Sequence, residues 1–204
     1  MRQSIKYISI LFLFLACRQK GEDSRYKIID LKYSVYTWNF IEVKNSWDFY
    51  LVDYFHIDTN GRFELQRRDF SLNKLEYFKG IINRDLRNDI DSILIDNKYF
   101  PKRNFHDSVD TNTIIYDGFD YLLDYKLKGK EQTKIEYINT DMRTPENILH
   151  LTSLLDTFIL KIDAVKCDSF SIGTYLDTLK IISSRHLPPP PIKPTIKLVP
   201  PKIK

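Results

Sequence analysis

Glycine and cysteine are scarce in this chain. Six glycines in 204 residues leave little material for a phosphate-cradling loop and exclude a collagen-like repeat. Two cysteines exclude a disulfide-dense scaffold. Past the N-terminal stretch no apolar run is long enough to span a bilayer, which excludes a polytopic membrane protein. No Gly-x-Ser-x-Gly elbow and no His-Glu-x-x-His pair occurs. The four histidines, at 56, 106, 150 and 186, include no pair at the i, i+4 spacing that sets two zinc ligands on one helix face. Asp89, Asp91 and Asp96 resemble a calcium loop only superficially, since the turn glycine is missing and the segment has a helical pattern. The sequence therefore predicts no catalytic residues, no metal site and no cofactor.

The chain is rich in apolar and aromatic residues. Hydrophobic residues make up 43% and aromatics 14%, enough to build a core and to exclude whole-chain disorder. The formal charge of +4 misleads. Arg2 and Lys6 lie in the apolar N-terminal segment. Arg185, Lys193, Lys197, Lys202 and Lys204 lie in the last twenty residues, which hold no acid. The body between is faintly acidic, so no clustered basic face for nucleic acid is expected.

The N-terminus reads as an address. Arg2 and Lys6 make a cationic start, and Tyr7 to Ala16 is an uncharged, mostly apolar run. That run fits a secretory h-region and falls short of the ~20 residues a spanning helix needs. It closes on Phe14-Leu15-Ala16-Cys17, which resembles the lipobox of bacterial lipoproteins, with Phe14 in place of the commoner Leu. The resemblance implies cleavage after Ala16, lipidation of Cys17 and anchorage to a membrane. Each buried methylene contributes ~0.8 kcal/mol, so two or three acyl chains hold a protein without a spanning helix. Arg18 in place of Asp at the second mature position implies the outer membrane. Gln19 to Asp23 loosely resembles the short Lys-plus-acidic tags of surface lipoproteins, and the periplasmic face and the cell surface both remain open. Cys167 is then the only other thiol, and a small buried core residue is the expected role.

The chain divides into four regions. Residues 1–16 are a signal peptide, 17–25 a polar tether, 26–184 an α+β domain, and 185–204 a basic, proline-rich extended tail. Within the domain, Ile29, Leu31, Tyr33 and Val35 alternate with Ile28, Asp30, Lys32 and Ser34 as in a strand. Trp47, Phe49, Leu51, Phe55 and Ile57 share one parity of the next, with Asp53 the polar exception. Asn60-Gly61 predicts a hairpin turn, since both residues tolerate positive φ. Further strands are expected at 75–82, 113–117, 119–127 and 133–138. One amphipathic helix is expected over 85–95. A second is capped by Thr144, has Pro145 in its first position, and carries Ile148, Leu151, Leu155, Phe158, Ile159 and Ile162 on one face. Residues 169–179 fit a strand or a short helix. The expected class is α+β: a mainly antiparallel sheet with both helices packed on one face. Ile82–Arg87 resembles Ile138–Arg143, which suggests two β-hairpin-strand-helix repeats. Residues 48–162 loosely resemble small uncharacterised envelope domains of Gram-negative lipoproteins, a resemblance that implies no catalytic residues.

Two features invite a functional reading. His106, Asp107 and Asp110 share a loop and could bind a hard cation or serve as acid and base; a solvated loop of turn-formers is the plainer account. Tyr50, Tyr54 and His56 fall on one parity, and Tyr33, Tyr121 and Tyr125 alternate similarly, as on a recognition face or on the covered face of an ordinary sheet. The leading expectation is a lipid-anchored, non-enzymatic binding or accessory protein of the bacterial cell envelope. Its partners are the membrane through Cys17 and, as one option beside a plain disordered tail, a protein through 187–204. The alternatives are a hydrolase or metal-dependent enzyme using the His106 loop, and a structural lipoprotein whose tail contacts the cell wall.

Overall fold

The computed structural model describes residues 27–95, 119–138 and 144–187. Seven strands form one sheet: β1 Ile28–Ile41, β2 Ser46–Asp58, β3 Arg62–Asp69, β4 Lys74–Ile81, β5 Asp120–Leu127, β6 Gln132–Ile138 and β7 Val165–Lys166. Three helices accompany it: α1 Arg84–Ile95, α2 Glu146–Lys161 and α3 Gly173–Ser183. The strand order is β6-β5-β1-β2-β3-β4-β7, and every pairing is antiparallel. The chain is thus α+β, with a meander of four strands extended on the β1 side by a second hairpin.

Alternation along the strands builds two cores, one on each face. Leu31, Tyr33, Val35, Phe55, Ile57, Leu65, Leu123 and Ile135 belong to the first, together with Leu86, Ile90 and Leu94 of α1 and Ile148, Leu151, Leu155 and Ile159 of α2. Tyr36, Leu51, Tyr54 and Leu122 form the second with Leu179 of α3. Asn83 starts α1 by accepting the Leu86 amide at 2.8 Å, which satisfies one of the free amides of a first turn.

Several expectations shift. A third helix forms where strand and helix both fitted, because Tyr175, Leu176 and Leu179 make one helical stripe against the second core. Pro145 sits at the cap of α2 rather than in its first turn, its carbonyl accepting the Ile148 and Leu149 amides. A single 3₁₀ turn at Ser184–His186 carries helical backbone past residue 185, where the sequence places the start of the extended tail. At the β2–β3 hairpin only Gly61 has positive φ (74°). Three loop residues separate β2 from β3, Gly61 donates to the Asp58 carbonyl, and the Asp58 carboxylate accepts the Asn60 and Arg62 amides. That is a type I turn closed by a left-handed glycine, so Asn60 stays in the ordinary region. The strand expected at 113–117 and the junction at 139–143 lie outside the described residues.

The first core is tight where β3 meets β4. Gly80 pairs with Phe63, and a Cβ at Gly80 would lie 2.7 Å from the Phe63 ring. That ring cannot swing away, since it packs at 5.7 Å from Phe55 and 5.6 Å from Phe158. Gly80→Ala should therefore destabilise the fold by about 1–3 kcal/mol, as overpacking does. Urea denaturation checks it; an unchanged midpoint would show that the Phe63 cluster has slack.

Candidate functional site

Cys17, His106, Asp107, Asp110 and residues 188–204 lie outside the described residues. Tyr33, Tyr121 and Tyr125 are buried residues of the first core, so they form no exposed recognition face. Cys167 is free and half-buried rather than fully buried, with its amide on the Tyr77 carbonyl at 3.0 Å. Asp91, one of the three acids with a superficial likeness to a calcium loop, instead holds the start of β1: its carboxylate accepts the Ile28 amide at 3.0 Å and the Lys27 amide at 3.3 Å. Among the described residues no group of three or more His, Cys, Asp or Glu is placed to hold a metal, and no helix is long and apolar enough to cross a membrane. An open cavity of about 450 Å³ at the first turn of α2 is lined, among described residues, by Glu146, Asn147 and His150.

The distinctive surface is the far end of the β1–β2 hairpin. β1 pairs with β5 only as far as Tyr36, and β2 meets β3 only from Asp53. Among the described residues, 37–41 and 46–52 therefore ladder only with each other. At ~3.4 Å per residue the arm reaches about 17 Å past the sheet. It holds both tryptophans of the chain. Trp38 packs edge-on to Phe49 at 5.1 Å and Phe40 to Trp47 at 5.3 Å, while Tyr36 stacks on Phe49 at 5.6 Å. Such pairs add about 0.5–1.5 kcal/mol each beyond their buried area, which helps a two-stranded ribbon that is marginal alone. Val43 at the tip is 99% exposed, and Phe70 and Leu72 in the neighbouring turn are 59% and 70% exposed.

A bulge decides which way the arm faces. The register slips between Val35 and Tyr36, where Val35 opposes Asp53 but Tyr36 opposes Leu51, so Val52 is the extra residue. Leu51 and Phe49 consequently join the second core, while Phe55 and Ile57 belong to the first. The single parity read in the sequence is split across the two faces. Tyr50 and Tyr54 are separated for the same reason: Tyr54 is in the second core, and Tyr50 opposes Thr37 beneath the Arg68 guanidinium at 5.8 Å.

The same face changes character along its length. Nearest the start of β1, Lys134, Asp124, Lys32, His56, Glu64 and Lys79 oppose one another in sequence across six strands. Signs largely alternate, and opposite charges directly across a ladder stabilise it by roughly 0.2–1 kcal/mol each. Lys79 meets Glu64 at 3.0 Å and Lys134 meets Asp124 at 3.5 Å. Asp30 binds both Lys32 and the His56 Nε2, the latter at 2.7 Å. Burial pushes the Asp30 carboxyl up, but the bonds from His56 and Lys32 outweigh it and hold Asp30 below its usual range. Next along the face, the Tyr175 and Ser34 hydroxyls meet at 3.0 Å. The aromatic arm comes last.

The first face holds two half-buried acids, Asp53 and Asp156. Asp53 is pushed up to about 7 by burial and then by the charge of Asp156, with Arg67 opposing. Its Oδ1 has no hydrogen-bond partner among the described residues. Burial also raises Asp156, although the Tyr33 hydroxyl donates to it at 2.6 Å. Sequence reasoning marks Asp53 as a polar exception; Asp156 gives no such signal because it flanks the apolar stripe of α2. The pair can hold a proton near neutral pH. No family model matches this chain, and no curated protein matches it in sequence.

Asp53 makes stability depend on pH in a stated direction. Its folded pKa of about 7 lies above the ~3.9 of an unfolded Asp. Folding therefore favours the proton, and stability falls as pH rises from about 4 through about 7. Asp53→Asn mimics the neutral form and should unfold later than wild type at pH 8, by on the order of a few kcal/mol. The gap should close toward pH 4. A gap equal at both pH values in urea titrations would rule the mechanism out.

Proposed function

We propose that this protein is a lipid-anchored binding or accessory protein of the bacterial cell envelope, attached at the outer membrane through Cys17, and that it recognises a partner with the aromatic arm of the β1–β2 hairpin. The observation that carries the binding reading is the overhang itself. Both tryptophans, two phenylalanines and an exposed tip sit on backbone that the sheet does not need. Aromatic residues on a projecting element supply large contact area at low entropic cost. The lipobox-like Phe14-Leu15-Ala16-Cys17 supports the anchor. The two features fit each other, because the anchor precedes the Ile28 end of β1 in sequence while the other end of β1, at the arm, lies thirteen residues further on, about 43 Å away at strand rise.

We also read the strand-helix junctions at 82–87 and 138–143 as related, with α1 and α2 packed on one face; that both helices contribute to one core supports this. The hydrolase alternative rests on His106, Asp107 and Asp110, and no observation on the described residues favours it.

Two measurements test the reading. Metabolic labelling with a radioactive fatty acid should mark the wild type and leave Cys17→Ala unlabelled. A photo-crosslinking residue at Val43 should trap an envelope partner in cells, whereas one at Gly129, at the anchored end, should trap none. Absence of label sinks the anchor, and adducts that are equal at both positions sink the arm.

A further inference from the structure

The last helix of the described residues runs toward the arm. Tyr175 of α3 bonds Ser34 and packs 5.2 Å from Tyr54. Lys180, one turn and a half later, lies over Phe49 at 6.0 Å. α3 therefore runs along the second face toward the arm. From Lys180, the rest of α3 and the 3₁₀ turn at Ser184–His186 advance the chain by about 10–12 Å at 1.5 and 2.0 Å per residue. The Phe40–Trp47 pair lies only about 7 Å beyond Trp38–Phe49 along the ribbon. α3 and the turn after it thus head toward the outer aromatic pair.

After Leu187 the chain continues as Pro188-Pro189-Pro190-Pro191, then Pro194, Pro200 and Pro201. Such a sequence favours polyproline II, whose carbonyls make no internal hydrogen bonds and whose ridges fit aromatic grooves. Two to three residues of that helix advance about 6–9 Å, which brackets the spacing of the two aromatic pairs. The arm also holds a donor in need of an acceptor. The Trp38 Nε1 is buried and has no hydrogen-bond partner among the described residues, a costly state for an indole N–H.

We propose that the chain's own proline-rich tail, residues 188–204, docks on the aromatic face of the arm, with a tail carbonyl accepting from Trp38 Nε1. This rests on the reading of the arm as a binding surface and adds its regulation: the tail is a tethered competitor that a partner must displace. Tethering gives the tail a high effective concentration at the arm, which is why it is preferred over a partner's proline-rich segment or a lipid surface.

Trp38 and Trp47 are the only tryptophans, so intrinsic fluorescence of the full chain reports the arm alone. In a variant carrying Pro188→Gly, Pro189→Gly, Pro190→Gly and Pro191→Gly, emission should shift to the red and acrylamide quenching should rise severalfold. Circular dichroism should stay as in wild type. A synthetic peptide of residues 187–204 should reverse both changes saturably. Unchanged emission and quenching overturn the inference, as does tryptophan protection that arises only on adding phospholipid vesicles. Crosslinking at Val43 separates the two readings. Adducts that persist alongside unchanged fluorescence leave the binding surface standing and remove only the tail. Adducts absent from both proteins remove the binding surface itself.

Discussion

One residue of extra backbone, Val52, settles how this molecule presents itself. Side chains alternate with a period of two along a strand, so a single inserted residue turns everything beyond it over. Below the bulge, Phe55 and Ile57 feed the core under α1 and α2. Above it, Leu51 and Phe49 turn to the α3 side. Strict alternation would have sent Trp47 and Phe49 to the same side as Phe55. The bulge also leaves Asp53 at the margin of the first core, where it is desolvated close to Asp156.

The α3 face then grades from charge to aromatics. The alternating rung from Lys134 to Lys79 lies near the start of β1, where Asp91 clasps the entering chain. Charges that pair across strands keep that end wet and specific at modest energetic gain. The aromatic pairs lie at the opposite end, where β1 and β2 have outrun their neighbours. Polar chemistry thus sits toward the proposed anchor and apolar contact area away from it, an arrangement suited to reaching outward from a membrane.

Much of the fold is legible in the sequence because its signals are local. Alternating residues mark β1 and β2, the stripe Leu86, Ile90 and Leu94 marks α1, and Asn60-Gly61 marks a turn. The bulge leaves no such trace: an inserted Val in a β-rich run changes no composition and only breaks a parity. Asp53 is the visible symptom, standing among Trp47, Phe49, Leu51, Phe55 and Ile57. At the start of β1 the register slips between Ile28 and Asp30, so Ile28 rather than Ile29 is buried. α3 is ambiguous in the sequence since Phe170 and Ile172 alternate as in a strand just before positions 175, 176 and 179 take up helical spacing. The arm is hidden for a different reason. Its aromatics read as ordinary strand residues until the ladder shows which of them lack a neighbouring strand.

The proposed function holds an aromatic recognition arm away from a lipid anchor that precedes the other end of β1. Its most direct test places the acylated protein in vesicles and compares ordinary with brominated phospholipids, whose acyl chains quench nearby indoles. Because Trp38 and Trp47 are the only tryptophans and both lie on the arm, the claim predicts the same emission in both kinds of vesicle. Strong quenching by the brominated lipids would contradict it and would put the arm in the membrane it is claimed to face away from.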